Sequence, residues 1–351
     1  MKIKEIIKKF FRKDEEPKLL LEENNEKKTN KFKDDLFVGS VNVAEQHTLE
    51  ECIEEFFKQY SLQDKYNPNG SKKAYKAYSR LFCEEEKIGD NLKNQKRLEK
   101  LVKKNACNVN YQISNNRLVF MHISGQEGID EYKDLDMQKI YINCKREDIS
   151  ILTAAIFKQI KGIAGDKLQM KCISEQKVSG YGDDEEYKEL KNYQRNDRIV
   201  IYAENREKAA KMCDAISLLK RNNPKIFKGI KKIPILPNQD GFMVVTSKKD
   251  NQYVQTPIGT ASGVTYNDYV SDVLYNSAIL ACDKEFGIDS NDDYSLRERM
   301  SEYARIFPEI EDEQKKRIIL NCKKIFKELC KEGNIELAEA ESLTNKNEQV
   351  K

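Results

Sequence analysis

The chain has 351 residues, and 34% of them are charged, yet the formal net charge is only +3. Charges so evenly mixed set up no field of the kind that nucleic-acid binding needs, so no nucleic-acid partner is expected. No run of about 18 apolar residues occurs, and the basic N-terminus lacks a continuous apolar stretch and a small-residue cleavage site, so neither a transmembrane helix nor a secretory signal is expected.

Residues 1–13 place Ile3, Ile6, Ile7, Phe10 and Phe11 at helical spacing among Lys2, Lys4, Lys8, Lys9 and Arg12. That pattern predicts a short basic amphipathic helix. It suits either docking on the chain's own domain or weak contact with an anionic membrane surface. Residues 14–35 are polar and without periodicity, as in a linker.

Residues 36–117 read as a mainly helical region. Thr48-Leu49-Glu50-Glu51 has the pattern of a capping box before the apolar set Cys52, Ile53, Phe56, Phe57 and Tyr60. Asn67-Pro68-Asn69-Gly70 predicts a turn, and Ser71 is placed to cap a helix carrying Tyr75, Tyr78, Leu81 and Phe82. A third, charged helix is expected over 91–105.

The period then changes to two. Residues 108–113 and 117–124 read as a hairpin around Ser114-Asn115-Asn116. Its second strand carries His122, which reads as a structural histidine. Beyond it the expected order is strand 139–144, helix 146–163, strand 167–173, polar loop 174–194, strand 198–203 and helix 206–220. Such strand–helix–strand units predict an α+β fold, a mixed β-sheet covered by helices. Residues 224–260 hold four of the seven prolines and read as extended and loop-rich. Helices are expected at 266–285, 295–306 and 309–331, and a polar tail at 341–351. The division is therefore 1–35, 36–117, an α+β domain at 118–285, and C-terminal helices with tail at 286–351.

The nine cysteines are scattered, odd in number and never spaced Cys-x-x-Cys, which suits neither a disulfide framework nor a zinc site. They read as small buried hydrophobes, with the cytoplasm as the expected compartment. Two histidines, His47 and His122, cannot build a multi-histidine metal site, and no metal is expected. Phosphate-loop, dinucleotide, nucleophile-elbow and His-Glu-x-x-His patterns are absent.

What remains is a basic and tyrosine-bearing set on the central strands. Alternation puts Lys139, Tyr141 and Asn143 on one face of the first strand, and Lys167, Gln169 and Lys171 on one face of the second. Cations converging there with a tyrosine would hold a phosphate, arginine as a fork and lysine as a point charge. In a chain with 62 basic residues, a solvated sheet face fits the same pattern.

Lys139-Ile140-Tyr141-Ile142-Asn143, then a helix, then a strand in which Lys171 completes an apolar-x-x-Lys pattern, then Arg195-Asn196-Asp197-Arg198 leading to Val200 and Tyr202, resembles the HopA family of type III effector-like proteins. That family is distantly similar to phosphothreonine lyases and to the lyase domains of lanthipeptide synthetases, and similar proteins stand beside phosphotransferase-like partners in some peptide-modification pathways. Ile233-Pro234-Ile235-Leu236-Pro237, Gly259-Thr260 and a helix from Tyr266 extend the resemblance to about residues 118–285. It implies a phosphoserine or phosphothreonine lyase acting by β-elimination on a peptide or protein. Lys171 would be the base, Tyr141 the general acid, and Lys139, Arg195 and Arg198 the phosphate ligands, with no metal or organic cofactor. Where HopA-like sequences carry arginines early in the last helix, this chain has Val270 and Asp272. That loss of positive charge suits the alternative reading, a non-catalytic effector-like interaction protein that binds a phosphorylated or acidic partner. The resemblance leaves export as an effector open.

Overall fold

Helix α1 (Leu49–Tyr66) starts where the capping pattern places it. The Thr48 amide donates to Glu51 Oε2 at 2.7 Å, and the Glu51 amide donates to Thr48 Oγ1 at 3.2 Å. Its apolar stripe of Cys52, Ile53, Phe56, Phe57 and Tyr60 is at most 1% exposed. Each such burial removes a large apolar side chain from water, worth roughly 1.5–3 kcal/mol. The computed structural model describes residues 47–66, 72–83, 92–113, 119–127, 129, 136–174, 195–247, 253–263, 265–288, 295–335 and 337. The helix and linker expected at 1–35, the turn at 67–70 with Ser71, the hairpin turn at 114–116, most of the loop at 174–194 and the tail at 341–351 lie outside the described residues.

Two further helices, α2 (Lys73–Ser79) and α3 (Leu92–Lys104), precede the sheet. Its strands are β1 (Asn108–Ile113), β2 (Val119–Ser124), β3 (Gln138–Cys144), β4 (Gln169–Ile173), β5 (Ile199–Ala203), β6 (Ile230–Lys231) and β7 (Met243–Ser247). Across the sheet the order is β1-β2-β4-β5-β3-β6, with β7 also pairing β3. Helix α4 (Ile149–Ala164) connects β3 to β4, and α5 (Arg206–Asn222) follows β5. A small hairpin, β8 (Tyr253–Thr256) and β9 (Gly259–Ser262), leads into α6 (Tyr266–Phe286), α7 (Leu296–Ile306) and α8 (Asp312–Glu332).

The α+β class holds, with helices before and after the sheet. Every strand pairing among the described residues is antiparallel. Strands β3 and β4 run the same way because both are antiparallel to β5, which lies between them. Strands β5 and β7 are related in the same way through β3. The series β3-α4-β4-β5-α5-β7, laid out as β4-β5-β3-β7, is therefore the split β-α-β arrangement of ferredoxin-like folds. Strand β7 falls inside the stretch expected to be loop-rich. Its short apolar run lies close after Pro234 and Pro237 and directly after Gly241, which mask a strand of five residues.

The sheet has a core on each face. Ile140, Ile142, Met170, Ile199 and Ile201 pack against α3, α4 and α5. Tyr141, Val200, Tyr202 and Val244 face the opposite way, where residues of α1, α2, α6, α7 and α8 share one core with them. Helices α1 and α2, from before the sheet, and α6, α7 and α8, from after it, are thus packed together on its second face. No helix among the described residues is long and apolar enough to cross a membrane.

None of the nine cysteines is in a disulfide; eight are buried and Cys83 is half-buried. Burial pushes the thiols of Cys52, Cys172 and Cys213 up to about 12, so almost no thiolate exists at neutral pH. A thiol reagent such as Ellman's is therefore expected to modify the native protein quickly at Cys83 at most, and all nine positions only after denaturation. Rapid native reaction at Cys172 or Cys322 would show that the core is not packed as described.

Candidate functional site

The registers build the face row by row. Thr246, Lys139, Tyr202, Gln169 and Ser124 stand opposite one another across β7, β3, β5, β4 and β2. The next row is Val244, Tyr141, Val200, Lys171 and His122. Because the strands pleat with period two, both rows belong to one face. Lys139, Tyr141 and Lys171 therefore share that face, and His122 is the direct cross-strand neighbour of Lys171.

Aromatic rings organise the cations. The Lys139 ammonium lies 5.0 Å from the centroid of Tyr202, and the Lys171 ammonium lies 5.8 Å from the same ring. Lys171 is also 5.6 Å from the Phe120 ring. The Arg195 guanidinium stands 5.5 Å from Phe120 and 5.0 Å from Tyr75. Phe120 and Tyr202 thus link Lys139, Lys171 and Arg195 through aromatic rings, whose faces attract cations.

Arg195 is also engaged by a carboxylate. Its Nε donates to Asp197 Oδ1 and its Nη2 to Asp197 Oδ2, both at 2.7 Å. The Tyr75 hydroxyl accepts from the same Nη2 and lies 3.4 Å from Asp197 Oδ2. This bidentate, buried pair consumes one side of the fork that a phosphate would use. The segment is pinned further by Asn196, whose amide donates to Ser79 O at 2.9 Å and whose Nδ2 donates to Leu81 O at 3.1 Å. Residues 195–198 are all buried, stitched between β3 and the end of α2.

Arg198 is only 1% exposed. Its Nη1 donates to Cys144 O at 2.7 Å and its Nε to Arg195 O at 3.1 Å. Those bonds tie β3 to the entry of β5. Arg198→Met is expected to lose about 2–3 kcal/mol, because the thioether fills the stem's space but leaves two buried carbonyls without these donors. Urea denaturation measures this; an unchanged midpoint would place Arg198 outside the structural framework.

Tyr141 is 4% exposed. Its phenol is pushed well above the ordinary tyrosine range, first by burial and then by Asp197 and Tyr202, while a hydrogen bond with Thr246 works the other way. It remains protonated at every working pH and is a weak proton donor. Val270 is fully buried in the core, and Asp272 accepts from the Ser262 amide at 2.7 Å, holding β9 against α6.

The sequence pointed to Lys139, Tyr141 and Lys171, and the strands bring these together. It assigned no role to Asp197, Tyr75, Phe120 or Tyr202. The signal for Asp197 was present in Arg195-x-Asp197, a carboxylate two residues from the guanidinium it holds. Tyr75 and Phe120 lie far from Arg195 in sequence and left no local signal.

No protein-family model matches the chain. No curated protein matches it. Among solved structures, the effector protein from Pseudomonas syringae pv. syringae strain 61 shows a distant likeness, with a TM-score of 0.38 and 12% identity over 72% of this chain and 92% of that one.

Proposed function

We propose that the Lys139–Tyr202–Lys171 face binds a phosphorylated segment of a peptide or protein. The observation that carries this reading is the placement of two ammonium groups on one sheet face around a single aromatic ring. Point-charge cations held together on one face suit a phosphate carried on a side chain: the lysines take the oxygens, while the buried Tyr202 ring lies between the two ammonium groups. With Arg195 gripped by Asp197 and Arg198 donating to two carbonyls, the two lysines carry the phosphate contacts in this reading. Arg195 adds a contact only if the incoming anion displaces Asp197.

A second reading, β-elimination, draws support from His122, which stands directly opposite Lys171. There Lys171 would take the α-proton, the Cβ–O bond would break, and phosphate would leave with a proton from the His122 imidazole or the Tyr141 phenol. Lys139 would hold its developing charge, so that the phosphate is bound more tightly in the transition state than before it. A phosphotransferase-like partner would supply the phosphorylated substrate of either activity. One experiment separates the readings: incubation with phosphoserine and phosphothreonine peptides, following binding by fluorescence anisotropy and composition by mass spectrometry. Salt-sensitive binding with an intact phosphopeptide supports recognition alone. A dehydroalanine or dehydrobutyrine product that disappears in Lys171→Ala establishes the lyase. Equal affinity for phosphorylated and unphosphorylated peptides removes both readings.

A further inference from the structure

Helix α1 and the α7–α8 turn line an open cleft of about 540 Å³, and none of the residues lining it belongs to the lysine face. Its apolar lining includes Leu62, Phe82, Phe307 and Pro308. Its rim carries Glu51, Glu54 and Glu55 along one side of α1, with Lys58 and Lys315 among them. Lys58 is already held by Glu55 at 3.0 Å, and Lys315 faces Asp312 at 3.5 Å. Glu54 and Glu51, the latter also accepting from the Thr48 amide and lying 3.8 Å from His47 Nδ1, give the rim its negative charge. Phe82 has a left-handed backbone, φ 53°, which a bulky residue adopts only at a cost. That conformation sets its ring flat against His47, with centroids 3.4 Å apart.

The occupant that fits is written in the same chain. Residues 1–13 set three isoleucines and two phenylalanines among six basic residues and a single acidic one, Glu5. Apolar side chains at positions 3, 6, 7 and 10 recur at the spacing with which a helix fills a groove, and the cations flanking them match an acidic rim. The described chain begins at His47, at the edge of the cleft beside Phe82. Residues 14–46 span up to roughly 100 Å when extended, so reach does not limit the contact. A tether also raises the local concentration of the segment into the millimolar range, enough to fill a shallow site that would bind a separate peptide weakly. We infer that residues 1–13 dock in the cleft between α1 and the α7–α8 turn of their own chain, Phe10 and its neighbours entering the apolar floor and the lysines meeting Glu51 and Glu54.

Docking would keep the basic segment away from other anionic surfaces, and a ligand that competes for it would uncover the cleft. The test uses the full chain with photoreactive p-benzoylphenylalanine in place of Phe10, irradiated at dilution and mapped by mass spectrometry. The main product expected is an intramolecular crosslink to peptides from 51–62 or 304–315, or to Phe82. Its yield should fall at least fivefold in the Glu54→Lys/Leu62→Ser variant, whose two positions are not in the buried core, and similarly in ~1 M salt, where the screening length is about 3 Å. Crosslinks elsewhere on the chain or between molecules would overturn the inference, as would a yield unaffected by the variant. Capture solely as lipid adducts, once phosphatidylglycerol vesicles are added, would overturn it in favour of a membrane-surface role.

Discussion

Asp283→Ala is expected to cost about 3–5 kcal/mol of folding stability, because it strands a buried arginine. Asp283 lies on α6 and is 4% exposed. It accepts from Arg299 Nη1 at 2.8 Å and from the Tyr303 hydroxyl at 2.5 Å. Arg299 and Tyr303 are four residues apart on α7, hence on one face of that helix, and both reach back to the same carboxylate. Burial and the bond to Asp283 raise the Tyr303 phenol far above its usual range, so it remains a donor at all working pH values. Removing the carboxylate leaves a guanidinium and a phenol facing each other without their acceptor in a site that water does not reach. An exposed ion pair on the same helix, Arg305 with Glu302, is the natural control. Its two charges remain solvated whether or not they meet, so Glu302→Ala should leave stability essentially unchanged. Urea denaturation of both variants measures the contrast. If Asp283→Ala shifts the midpoint no more than Glu302→Ala, the buried triad is not what joins α6 to α7.

The second large effect concerns ligand binding. Lys139→Ala/Lys171→Ala is expected to weaken a phosphopeptide complex by a hundredfold or more. A charge-assisted hydrogen bond contributes about 1.5–3 kcal/mol, and each ~1.4 kcal/mol is a factor of ten in affinity. Both lysines are half-buried at the strand surface and lie beside the Tyr202 ring, so truncation removes a cation without opening the core. Fluorescence anisotropy with a labelled phosphopeptide gives the affinity, and circular dichroism confirms that the variant is folded. Lys211→Ala, which removes an exposed cation paired with Glu207 on α5, should bind as the parent does. If the double variant keeps its affinity, or if Lys211→Ala loses as much, the phosphate is held elsewhere or by net charge alone.

The first prediction probes the helical layer and the second the sheet face beside it. The Asp283 triad holds α6 and α7 together, and α6 also contributes Val270, Val273 and Leu274 to the core beneath the sheet face that carries Tyr141 and Tyr202. Val270 completes that core, and Asp272 secures β9 by accepting from the Ser262 amide. The lysines of the face, Lys139 and Lys171, stand on the strands β3 and β4.

Local sequence was enough to define most of the elements. Period-two alternation identified β3, β4 and β5 to within about two residues, and the period of 3.6 identified α4, α5, α6 and α8. The capping box at Thr48 set the start of α1, because both of its hydrogen bonds join residues three apart. The same alternation placed Lys139 with Tyr141, since residues two apart on a strand must share a face. Strand order could not be obtained in this way. That β5 inserts between β3 and β4, and that a short run after two prolines becomes β7, depends on contacts between residues far apart in the chain. Arg195 and Arg198 show the same boundary at the level of a site. Their positions ahead of β5 were readable, but their engagement with Asp197, with Tyr75 and with the Cys144 carbonyl was set by burial. A buried guanidinium must be satisfied by whatever acceptors the fold brings to it, and which acceptors those are is a property of the tertiary structure alone.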